Sequence, residues 1–158
     1  MEETPDKEPS PMTSYEFQPD ELTVQDAMIV LAIWIMGAEI KNDPSAKQHV
    51  LALARSSPLF TMEAYEQTEG RVNRFVNWAG SAAMDELFPQ ALRTLKRAYR
   101  RQALAWVAAN AHSQQPSEEN TAKVHHIGHA LDFSGAEINA EIERCVASRT
   151  QTSEEHGL

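Results

Sequence analysis

Two imidazoles one helical turn apart can share a divalent transition metal, and the stretch Val124-His125-His126-Ile127-Gly128-His129-Ala130-Leu131-Asp132 offers that spacing at His125 and His129. Asp132 is the candidate third ligand, and His112 sits in the preceding loop. Against a metal, Val124, Ile127 and Leu131 define an apolar stripe that leaves the histidines on its flanks or on the solvent side. A lone pair at this spacing also lacks the further ligands a site needs, so exposed histidines on an amphipathic helix are the favoured reading.

A second constellation is cationic. Arg93, Lys96, Arg97, Arg100 and Arg101 recur at spacings of three and four, which places them along one face of a single expected helix. Such a stripe can bind an anion or an acidic partner. Aromatic interleaving is limited to Tyr99, and the chain carries 23 acidic residues against 14 Lys and Arg, so pairing within the chain is the simpler reading. Like charges at this spacing repel, and the acidic residues Glu2, Glu3, Asp6 and Glu8 are candidates to offset them.

Templates for catalysis fail. The chain has no Gly-rich phosphate loop, no His-Glu-x-x-His and no nucleophile elbow, and Cys145 sits in a helical pattern as a small core residue. The neighbouring Glu118 and Glu119 are first-turn charges that complement a helix dipole. A non-enzymatic protein is expected, with no organic cofactor and at most a divalent metal ion.

The elements that would position these groups are helices. Ala27-Met28-Ile29-Val30-Leu31-Ala32-Ile33-Trp34-Ile35-Met36-Gly37-Ala38 contains no charge and is apolar all round, which predicts a hub helix covered by others on most sides. At about 1.5 Å per residue it is too short for a hydrocarbon core of about 30 Å, so no membrane span is expected. Thr23 with Asp26 marks its start, and it should run to about Glu39 or Lys41 before Asn42-Asp43-Pro44 breaks it. A second helix follows from Pro44 to about Arg55, and a third from Thr61 to about Ala79 through Met62, Tyr65, Val72, Phe75 and Val76. A short fourth spans residues 82–88 and stops at Pro89, because the residue before a proline avoids the helical region. A fifth runs on to about Ala109 through Leu92, Leu95, Tyr99, Ala103 and Trp106. A sixth starts at Pro116-Ser117-Glu118-Glu119 and ends near Leu131, and Ser134 with Glu137 opens a seventh. No segment alternates with period two, so the expected fold is a single all-α bundle of about seven helices over residues 21–149. Its core should include Met28, Leu31, Ile35, Val72, Phe75, Leu95, Trp106, Ile127 and Leu131.

Residues 1–20 carry Pro5, Pro9, Pro11 and Pro19 with few large apolar side chains, the composition of a flexible tail onto which only Tyr15 and Phe17 offer docking groups. Residues 150–158 form a short polar C-terminal tail. A formal charge of −9 disfavours general nucleic-acid or anionic-membrane binding. The single cysteine and the acidic first residues, with no targeting signal, point to the cytoplasm. A protein partner is expected, and homo-oligomerisation is open.

The chain resembles the tellurite-resistance TerB-like family. The resemblance rests on Leu104-Ala105-Trp106-Val107-Ala108-Ala109-Asn110-Ala111, on Ser117-Glu118-Glu119, and on Val124-x-x-Ile127-Gly128-x-Ala130-Leu131-Asp132-Phe133-Ser134-x-x-Glu137-Ile138. Ala38-Glu39-Ile40-Lys41-Asn42-Asp43-Pro44 resembles the same unit, which suggests a duplicated helical hairpin. Asn110-Ala111 stands where the family has Asp-Gly, and Asp132 where it has a glycine at a left-handed helix end. The resemblance implies an all-α protein of paired helices, a binding or scaffolding role in a stress response, and divalent-cation binding through acidic loop residues. Here Glu39, Asp43, Glu118 and Glu119 match that acidity.

Overall fold

The computed structural model describes residues 22–112 and 117–157, with side chains described as far as residue 147. The flexible tail expected over residues 1–20, docking by Tyr15 and Phe17, and the helix start at Pro116 lie outside the described residues. Among the described residues seven α-helices run in order: α1 Val24–Met36, α2 Pro44–Ser56, α3 Tyr65–Val76, α4 Ala82–Ala98, α5 Arg100–His112, α6 Glu118–Ala130 and α7 Gly135–Gly157. Short 3-10 turns at Ala38–Asn42 and Pro58–Phe60 flank α2. Among the described residues there is no strand, and no helix is long and apolar enough to cross a membrane.

Helix α1 is the hub. Thr23 accepts from the Asp26 amide while Asp26 accepts from the Thr23 amide, a reciprocal capping box that fixes its first turn. Ala27 to Ile33 and Ile35 are buried, because α4 and α5 pack most closely on α1 and α2, α3 and α6 cover the remainder. The expected continuation to Glu39 or Lys41 is corrected: Gly37 takes φ +82, a left-handed conformation that ends the helix at Met36, and the chain continues as a 3-10 turn. At the far end Lys123 of α6 donates from Nζ to the Ile35 carbonyl at 2.8 Å, satisfying an acceptor that the last turn leaves open.

A second centre is α5, which packs on α1, α6 and α7. The Trp106 Nε1 donates to the Met28 carbonyl at 2.7 Å, so the two central helices are joined by a buried hydrogen bond as well as by apolar contact. All nine residues expected in the core are buried.

Other element boundaries also differ from the sequence reading. Helix α3 begins at Tyr65, not Thr61: the Thr61 hydroxyl closes back on the Pro58 carbonyl, and Met62 projects at 95 % exposure. Pro89 does not stop a helix but lies inside α4 on its exposed side. The preceding Phe88 is held helical by packing, its ring stacked on Trp34 at 4.3 Å, which outweighs the local preference. The break falls instead at Tyr99, with φ −128 and ψ 29, between α4 and α5. At the other end, α7 carries helical backbone through Gly157, beyond the sequence boundary near residue 149.

The two segments read as a repeat are unlike locally. After α1 the first becomes a 3-10 turn, whereas Ala109 and Asn110 are still inside α5.

Candidate functional site

Two of the candidate histidines come together as a pair. His125 and His129 lie on α6 with ring centroids 5.7 Å apart. His125 Nε2 is hydrogen-bonded to Asn139 Oδ1 at 2.8 Å, and His129 Nδ1 to the Phe133 carbonyl at 3.2 Å, so one nitrogen of each ring is committed to the α6–α7 corner. Asp132 stands at the left-handed value φ +70, and its carboxylate is turned to Lys96 at 3.2 Å. The acidic candidates are dispersed. Glu39 is exposed on the first 3-10 turn, Asp43 accepts from the Ala46 amide as the cap of α2, and Glu118 and Glu119 are exposed in the first turn of α6, with Glu119 at 3.8 Å from Lys123. Among the described residues, no group of three or more His, Cys, Asp or Glu side chains is placed to hold a metal ion. His126, exposed at its outer edge, lies nearly parallel to Trp34 and Phe88 with centroids at 5.6 and 6.0 Å, so rings from α1, α4 and α6 meet at one place.

The cationic stripe on one helix is corrected by the break at Tyr99, which leaves Arg93, Lys96 and Arg97 on α4 and Arg100 and Arg101 on α5. Three of the five serve the α6–α7 corner. Arg100 donates from Nε to the Leu131 carbonyl at 2.7 Å and from Nη2 to the Asp132 carbonyl at 3.2 Å, and its guanidinium lies 4.5 Å from the Phe133 ring centre. Arg101 approaches the same ring at 5.5 Å, and Lys96 meets Asp132. Glu137 is held below the usual carboxyl range, chiefly by the Ser134 backbone N–H and then the Ser134 hydroxyl, with Arg101 and Arg100 adding to the effect. Arg93 and Arg97 are exposed.

One concave feature was not among the sequence candidates. A cleft of about 420 Å³ opens between the end of α2, the outer face of α5 and the middle of α7. From α5 come Gln102, Ala105, Trp106, Ala109 and His112, whose spacings of three, one, three and three residues trace a helical stripe. Small side chains at 105 and 109 keep the floor low, and Trp106 is fixed there by its bond to α1. Leu53 and Pro58 form one wall, and Arg144 and Cys145 form the other. Arg144 donates from Nε and Nη2 to the nearly buried Glu141, which holds its guanidinium above its ordinary pKa. Burial pushes the Cys145 thiol up, with the Glu141 charge adding and Arg144 opposing, so the sulfur is a wall atom and not an activated nucleophile. Chemically, the cleft offers apolar contact area with polar groups at its rim, the make-up of a binding site.

Compared with known proteins, the chain matches no family model, and neither a curated protein nor a solved structure is significantly similar to it. The cleft and the corner clusters therefore stand on their own geometry.

Proposed function

We propose that this protein is a non-enzymatic, TerB-like binding or scaffolding module, acting in the cytoplasm in a stress response, and that it holds its target in the cleft between α2, α5 and α7. The cleft carries the reading. Its volume of about 420 Å³ lies in the range of roughly 300–1,000 Å³ typical of ligand sites, and its floor and walls are mainly apolar. The TerB-like part rests on the quoted motifs and on the all-helical architecture.

The test is capture from the native host with the parent chain and with Ala109→Leu, which raises the cleft floor at a half-buried position. A bound species, protein or small molecule, should be retained by the parent and lost with the variant, while the circular dichroism spectra coincide. Equal retention by both would place the target elsewhere and overturn the reading.

A further inference from the structure

We infer that the cleft selects an apolar molecule carrying a single anionic group, such as a fatty carboxylate, over a cationic one of the same length. This rests on the cleft being the binding site and adds the class of ligand. The chain as a whole carries a formal charge of −9, yet among the described residues that line the cleft none is Asp or Glu. Among those described residues the permanently charged group is Arg144. Its partner Glu141 is nearly buried and outside the lining, and it takes up the Nε and one Nη2 proton of the guanidinium. Arginine has five N–H donors in a fixed fork, so with Nε and Nη2 bonded to Glu141 the Nη1 donors of this cleft-lining side chain are not spent on that carboxylate. A carboxylate placed against these donors gains charge-assisted hydrogen bonds, whereas an ammonium meets a guanidinium whose nearby carboxylate, Glu141, is nearly buried and already bonded to it. Beyond that head-group position, Leu53, Pro58, Ala105, Trp106 and Ala109 offer an apolar track for the tail.

The experiment is calorimetric titration of the full chain with dodecanoate and with dodecyltrimethylammonium, both below their micelle concentrations. Dodecanoate should bind at least about tenfold more tightly, the scale of one charge-assisted contact. In Glu141→Gln/Arg144→Gln, which removes the pair without leaving a buried lone charge, the preference should fall to within about twofold, and Ala109→Leu should weaken both ligands. Binding of neither ligand, equal affinities in the parent, or a preference that survives in the double variant overturns the ligand class. If the ligands still lose affinity in Ala109→Leu, the cleft reading stands while the class falls. If that variant leaves measurable binding unchanged, the cleft is not the site and both fall.

Discussion

At the scale of single residues, the polar group with most at stake is Arg71. Its Nη1 lies 2.5 Å from Asp26 Oδ1 and its Nη2 2.5 Å from Glu63 Oε2, and Thr68 donates to the other Glu63 oxygen at 2.8 Å. Both carboxylates are nearly buried, with side-chain exposures of 9 % and 11 %, so Arg71→Ala strands two charges and should cost about 3–5 kcal/mol in urea unfolding. A loss under about 1 kcal/mol would show that water reaches these groups freely. Glu137 makes a prediction about acid. Its folded pKa is depressed, so its contribution is present above the unfolded carboxyl value and is lost as pH falls through the lower folded value. The thermal midpoint of the parent should therefore decline below about pH 4.5 more than that of Glu137→Gln, and parallel declines would remove Glu137 from the acid response. For His125 and His129, zinc titration of the parent and of His125→Ala/His129→Ala should give the same weak uptake, given the ring nitrogens committed to Asn139 and Phe133. Tight binding confined to the parent would contradict that placement. Caps were legible in the sequence because they are local: Thr23 with Asp26 and Ser134 with Glu137 are three residues apart. The Arg71 cluster was not, since Asp26 is 45 residues distant and nothing in either segment marks the pairing.

At the scale of elements, the number and order of helices were readable from apolar spacing, and the errors lie at breaks. Pro89 and Tyr99 exchange the roles that local rules give them. A proline on the exposed side of α4 forgoes one backbone bond near solvent, and the Phe88 ring, stacked on Trp34 and His126, keeps the helix continuous. The bend at Tyr99 carries no glycine or proline to announce it, and it dissolved the cationic stripe that an unbroken helix would have displayed. Pro89→Ala should then raise stability by about 1–3 kcal/mol by restoring the donor without moving the fold. A lower melting temperature for that variant would mean that the proline sets a local shape that alanine does not.

At the scale of the whole molecule, the hub could be read from a dozen consecutive apolar residues, whereas the cleft could not be read at all. Its lining comes from residues 53–58, 102–112 and 144–145, and only the packing of α2, α5 and α7 brings these together. The hub gives the sharpest global test: Ile35, at 2 % exposure, replaced by aspartate buries an unpartnered carboxylate, and the cost of several kcal/mol approaches the total stability of a small domain. A thermal midpoint within a degree or two of the parent, on the order of a few tenths of a kcal/mol, would refute a central α1. That centrality also has a price in time during synthesis. The most apolar helix leaves the ribosome ahead of the six other described helices, but the surfaces that cover it most closely belong to α4 and α5, which are complete only once the chain through His112 has been made. At roughly 5–20 residues per second, α1 waits several seconds with its apolar surface bare, so nascent chains halted after residue 80 should bind chaperones and those released after residue 130 should not.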